Sequence, residues 1–251
     1  MACSVFLTLA TCHAIDQDAL AASFASRHDF DRGYGPATGR MLRLVRDGGD
    51  WRALAAGLFD GTGSWGNGAA MRVAPLGAFF AGDPAEAARQ AALSAMVTHT
   101  HPEAVAGAIA VAVAAAHAAS GLLPPGPLID RILEHVPPGK VRDGIQEARR
   151  MLTVTDPETA AYFLGNGRMV AAHDTVPFAI WAAARHRTSY QQAIWATAAA
   201  GGDVDTTCAI VGGITAAGLG PGHLPDAWLR ATEPLPEWIN LHDKDDGSSN
   251  S

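Results

Sequence analysis

Thr100-His101-Pro102-Glu103-Ala104-Val105-Ala106-Gly107-Ala108-Ile109-Ala110-Val111-Ala112-Val113-Ala114-Ala115-Ala116-His117-Ala118-Ala119-Ser120 decides the fold class. A turn and a proline open it, small apolar residues of high helix propensity fill it, and Gly121 with Pro124 and Pro125 stops it. The reading is one long, small-residue helix. Outward from it, apolar residues recur at helical spacing in both directions, and no sustained run of alternating β-branched residues interrupts them. The expected fold is all-α: a single-domain orthogonal helical bundle over residues 1–240, with a polar, disordered tail at 241–251. Other helix starts are equally plain. Asp83-Pro84-Ala85-Glu86 combines an N-cap, a first-position proline and a third-position glutamate. Ser189-Tyr190-Gln191-Gln192 repeats the capping logic. Further helices are predicted at about 3–13, 16–26, 36–47, 68–80, 127–135, 141–152, 157–164, 175–185 and 204–217.

The 251 residues suffice to bury a sizeable core, and 48% hydrophobic against 17% charged residues favours a globular body. A net charge of −7 without a basic block argues against a nucleic-acid or anionic membrane partner. Cys3, Cys12 and Cys208 lack paired spacing, which suits reduced thiols in a cytoplasm. The apolar run Val5–Cys12 has no basic residue before it and is far shorter than the roughly 20 residues of a spanning helix. It reads as a buried first helix, and a monomer is expected.

Four constellations carry possible chemistry. In Gly201-Gly202-Asp203-Val204-Asp205-Thr206-Thr207 a glycine turn sets two carboxylates and two hydroxyls ahead of an apolar run. Asp203 and Asp205 converge only if Asp203 lies in the turn and Asp205 in the first helical turn. Oxygen donors without Cys or His suit Mg²⁺, Mn²⁺ or Ca²⁺. The plainer alternative is that Asp203 simply N-caps a helix. Asp60-Gly61-Thr62-Gly63-Ser64-Trp65-Gly66-Asn67-Gly68-Ala69-Ala70-Met71-Arg72 is a glycine-dense loop feeding a helix, able to turn backbone N–H groups toward an anion, with Ser64 and Asn67 to complete a cradle. It matches neither a Walker A nor a dinucleotide fingerprint, and an ordinary surface loop is the alternative. Thr98-His99-Thr100-His101-Pro102 lies at a helix junction and lacks a third zinc ligand at a recognised spacing. His101 reads as structural, and His99 as either a hydrogen-bonding loop residue or a ligand contact. Gly165-Asn166-Gly167-Arg168-Met169-Val170 through Phe178 is a loop before a helix that either shapes a pocket wall or, the preferred reading, is a connection in which Pro177 settles the first turn. Trp181, Trp195, Trp228 and Trp238 read as packing residues, and no cysteine has a Lys or Arg beside it, so a thiol nucleophile is not expected.

Taken in order and spacing, the 63–72 loop, the Thr98-His99 junction and Gly201–Thr206 resemble the ADP-ribosylglycohydrolase family. Arg32–Thr38, Val176–Trp181 and Leu224–Trp228 also look like bacterial members, so the likeness reaches about Trp238. The resemblance implies an all-α fold with two Mg²⁺ or Mn²⁺ ions at the base of an ADP-ribose cleft. It implies Asp203, Asp205 and Thr206 as metal ligands, Ser64, Gly66 and Asn67 as phosphate and ribose contacts, and His99 as a residue lining the site. The implied partner is ADP-ribose or an ADP-ribosylated protein.

The chain departs from the family pattern in one respect. Members carry an N-terminal acidic residue and a Thr-Asp-Asp motif that complete the metal site, and Met1–Leu7 looks like the helix that follows that motif. Thr155-Asp156-Pro157-Glu158 and His173-Asp174-Thr175 are its nearest imitations, in the wrong places. The expectation for these 251 residues is an incomplete metal site with slow or absent turnover, arising by shortening or by natural loss. Three readings stand: a glycohydrolase cleaving the bond between ADP-ribose and a protein side chain or related acceptor, an ADP-ribose binder without catalysis, and a structural relative of the crystallin kind. Asp203, Asp205 and Asn67 weigh against the last.

Overall fold

A computed structural model describes residues 1–239. In chain order the helices are α1 (Ala2–Cys12), α2 (Gln17–Ser26), α3 (Pro36–Arg46), α4 (Trp51–Ala56), α5 (Gly68–Met71), α6 (Ala74–Phe79), α7 (Pro84–Met96), α8 (Pro102–Ser120), α9 (Pro125–Leu133), α10 (Lys140–Arg150), α11 (Pro157–Leu164), α12 (Ala172–Arg185), α13 (Tyr190–Ala199), α14 (Val204–Leu219) and α15 (Asp226–Ala231). They form an all-α orthogonal bundle. Among the described residues the β-type pairing is a single isolated bridge between Gly66 and Ala171. The tail expected at 241–251 lies outside the described residues.

Helix α8 is the axle of the bundle, and α5, α6, α7, α12 and α14 all pack on it. Its length and mean hydropathy of 1.5 match those of a membrane-crossing helix, yet its face from Ala104 to Ala118 is buried against these neighbours. Small side chains explain the crowding, because they let several backbones approach one axis. At Gly77 of α6 an added Cβ would stand 2.1 Å from the Ala112 carbonyl oxygen of α8. Large side chains fill the gaps around this axis. Trp181 is fully buried, stacks on Phe178 and donates its indole N–H to Met151 O at 3.0 Å.

The capping signals act where expected. Asp83 accepts from Glu86 N at 2.9 Å, and Ser189 from Gln192 N at 3.3 Å. His101 caps α8 with its Nδ1, which accepts from Glu103 N at 3.1 Å. Three expectations need correction. The helix at 68–80 is two helices, because the Pro75 ring excludes the Met71 carbonyl from a continuing ladder, so α5 ends at Met71 and α6 restarts at Ala74. Helix α12 begins at Ala172, not 175, which puts Pro177 inside it instead of in its first turn; Gly144 of α10 leaves room for the proline ring, 2.5 Å from where its Cβ would be. Trp195 is 60% exposed, with only an edge-on contact to Trp228 at 5.7 Å. Helices α4 and α15 are too short for periodicity to reveal.

Candidate functional site

The 57–68 loop is built by local strain and clamped from below. Phe59 and Asp60 both take left-handed backbone angles (φ 52° and 56°), unusual for residues with a Cβ. Gly63 (φ 74°) sits so close to the 98–101 junction that a Cβ there would meet Thr100 Oγ1 at 2.1 Å. The loop is pinned to the 165–172 segment: Asn67 N donates to Val170 O at 3.1 Å and Ala172 N to Trp65 O at 3.0 Å. Val170 holds that carbonyl in place at φ 54°, a conformation that costs a β-branched residue about 1–3 kcal/mol. Ser64 and Asn67 are buried, and Ser64 Oγ accepts from Gly66 N at 3.3 Å.

Asn67 joins this loop to the acidic turn. Its Nδ2 donates to Asp203 Oδ2 at 2.8 Å and to Thr175 Oγ1 at 3.0 Å, while the Thr175 hydroxyl donates to Ala171 O at 2.8 Å. On the far side Asp203 N donates to Asn166 O at 3.0 Å, and the Asn166 side chain donates to Ala200 O at 3.0 Å. Gly202 leaves room for that contact, since a Cβ there would lie 2.2 Å from Asn166 O. The segments around residues 67, 99, 166, 175 and 203, distant in sequence, therefore share one floor.

Asp203 is the N-cap of α14. Its Oδ1 caps α14, accepting from Thr206 N at 3.4 Å, and its Oδ2 faces Asn67. Burial pushes the Asp203 carboxyl up, but hydrogen bonds from Asp205, Asn67 and Thr206 outweigh it and hold the group below its ordinary range. Asp205 is pushed up, first by its hydrogen bond with Asp203 and then by burial. Two carboxylates this close repel one another, which favours neutralisation of one of them over two bare charges. A cation offers the same neutralisation, and two carboxylates with the Thr206 hydroxyl are a hard, oxygen-only donor set that fits Mg²⁺ or Mn²⁺ in kind. Among the described residues no group of three or more His, Cys, Asp or Glu side chains is placed to hold a metal ion. Thr206 Oγ1 donates to Met71 Sδ at 3.5 Å, which ties α14 to the end of α5.

His99 and His101 part company. His101 serves α8, whereas His99 is 5% exposed and lies beneath the cradle, its Nε2 3.2 Å from where Cβ atoms of Gly66 and Gly68 would be. Burial, with the Arg72 charge as a lesser cause, pushes its pKa down to about 3. Beside the cradle opens a cleft of about 340 Å³ lined by Trp65, His101, Glu103, Lys140 and His173. All seven residues singled out from the sequence fall into two connected groups: Ser64, Gly66, Asn67 and His99 around the loop, and Asp203, Asp205 and Thr206 at α14. The 165–178 segment, for which a pocket wall is one reading, contributes Asn166, Thr175 and the cleft residue His173; sequence reasoning missed Lys140, which is recruited only by packing.

The geometry thus sets a glycine-rich loop, hydrogen-bonded through Asn67 to Asp203 at a helix start, within an all-α orthogonal bundle. The chain belongs to the ADP-ribosylglycohydrolase family, which it matches over residues 1–246. It is 27% identical to the ADP-ribosylhydrolase ARH3 of Gallus gallus over 88% of the chain and 69% of that protein. It is 28% identical to the Homo sapiens ARH3 over 94% of the chain and 74% of that protein. A solved structure described as an ADP-ribosylglycohydrolase-related protein complex superposes with a TM-score of 0.67 at 22% identity, covering 92% of this chain and 74% of its own, which establishes likeness of fold.

Proposed function

We propose that the chain binds ADP-ribose and hydrolyses the glycosidic bond joining it to a protein side chain or related acceptor. The observation that carries this reading is the 2.8 Å hydrogen bond from Asn67 to Asp203, which joins the glycine loop to the acidic turn. The loop N–H groups, Ser64 and His99 would take phosphate and ribose oxygens, and Asn67 would orient Asp203. Asp203, Asp205 and Thr206 would hold Mg²⁺ or Mn²⁺. When bound, such an ion supplies Lewis-acid charge that orients ribose hydroxyls and acidifies water. Hydrolysis of a glycoside builds positive charge on the sugar in an oxocarbenium-like transition state, which the negative field of the Asp203 and Asp205 pair favours.

One observation favours a second reading, an ADP-ribose binder with little turnover: two carboxylates and one hydroxyl supply only part of the roughly six oxygens that Mg²⁺ takes. Calorimetric titration with ADP-ribose, with and without Mg²⁺, tests binding. Release of ADP-ribose from arginine- or serine-modified peptides then tests hydrolysis. Binding and release support the enzyme, binding without release supports the second reading, and no binding refutes both.

A further inference from the structure

Arg72 is a buried cation with no carboxylate paired to it among the described residues. It is 2% exposed, at the end of α5, and its guanidinium lies 4.9 Å over the Phe24 ring. Its donors reach Gly68 O at 3.3 Å, Ser94 O at 3.0 Å and Thr98 Oγ1 at 2.9 Å, while its Nε is buried without a partner. Burial lowers its pKa to about 10, so it stays charged at neutral pH. A charge placed this way is costly, and filling the space alone would be served better by an aliphatic side chain. The contact with Thr98 shows what the charge can do. A guanidinium only donates, so Thr98 Oγ accepts from Arg72, and the hydroxyl keeps its own proton for another acceptor. His99 Nδ1 lies 2.7 Å from that hydroxyl. An Nδ1 that accepts leaves the ring hydrogen on Nε2, the nitrogen facing the cradle floor at Gly66 and Gly68.

We propose that Arg72 is a positioning residue that acts through the Thr98 hydroxyl to fix His99 as the Nε2–H tautomer, so that the ring donates to a phosphate or hydroxyl oxygen of a ligand in the cradle. A site built to offer a donor there selects a ligand presenting an oxygen acceptor, and disfavours one presenting an N–H. The effect on ligand binding rests on the ADP-ribose reading above; the tautomer itself does not.

The test uses the full chain with ¹⁵N-labelled histidine, where ring-nitrogen shifts separate a protonated from a bare nitrogen. The wild type is expected to show His99 with Nε2 protonated and Nδ1 bare. Thr98→Val keeps the volume and removes the hydroxyl, and should give mixed tautomers with roughly tenfold weaker ADP-ribose affinity, the size of one lost hydrogen bond. Thr98→Ser should restore both. Arg72→Lys, retaining charge but not the fork, should fall between them. A wild-type ring protonated on Nδ1, a Thr98→Val variant with an unchanged tautomer, or one with a changed tautomer and undiminished affinity would each overturn the proposal. A wild-type protein with the expected tautomer that binds no ADP-ribose would sink the proposed function and the ligand half of this inference, leaving the relay itself intact.

Discussion

Asn67 and His99 are the residues on which the site's behaviour turns. Asn67→Ala removes two side-chain hydrogen bonds and leaves Asp203 Oδ2 without its donor. We expect a stability loss of about 1 kcal/mol, since water can reach the half-buried Asp203. ADP-ribose affinity should fall by at least roughly tenfold, as measured by calorimetry. A variant that binds like the wild type would separate the cradle from the acidic turn in function. His99 gives a pH signature. Its folded pKa of about 3 lies below the ordinary 6.5, so between those values the unfolded chain takes up a proton that the folded chain refuses. Its stabilising effect is therefore whole above pH 6.5 and drains away as pH falls toward 3. Urea unfolding at pH 7 and pH 4.5 should show a smaller loss for His99→Asn than for the wild type, and equal losses would contradict a neutral buried ring. Ser64 and Asn67 are legible as polar residues in a glycine-rich loop, and His99 as a polar residue at a helix junction. That His99 is buried and His101 is a cap was decided by which imidazole the α8 terminus needed.

At the scale of elements, close approach to α8 sets tolerance to substitution. Gly77→Val would push a side chain into the Ala112 carbonyl, and neither backbone can yield without moving α6 off the axle. The expected cost is about 3 kcal/mol or more, visible as a collapse of the thermal midpoint by circular dichroism. Asp83→Ala removes the cap of α7 at an exposed end and should cost only about 1 kcal/mol by the same measurement. The contrast distinguishes packing from capping. Local signals wrote the starts of α7, α8 and α13 into the sequence, because a cap involves residues three apart. The break between α5 and α6 was less visible: apolar spacing runs on through Arg72 and Val73, and only the steric demand of Pro75 on Met71 ends the first helix. Pro177 misled in the opposite sense, since α12 accommodates it where α10 offers a glycine.

For the whole molecule, the expected property is a metal-linked stability. If Asp203 and Asp205 hold a divalent ion in the folded state alone, Mg²⁺ at 100 times its dissociation constant should add about 2.7 kcal/mol. Differential scanning fluorimetry with Mg²⁺ or Mn²⁺ should show the midpoint rising, and Asp203→Asn with Asp205→Asn should abolish the rise. An equal rise in that double variant would place the ion elsewhere. What the sequence by itself determined is whatever depends on neighbours a few residues apart: helical periodicity, caps, glycine turns, the oxygen-rich character of the acidic turn, and through matching motifs the family. What only the tertiary structure decided is the meeting of Asn67 with Asp203 across 136 residues, the recruitment of Thr175 and Asn166, and the burial of Arg72 against Thr98. Those depend on helices crossing a shared axis, and the side-chain packing that brings them together leaves no periodic trace along the chain.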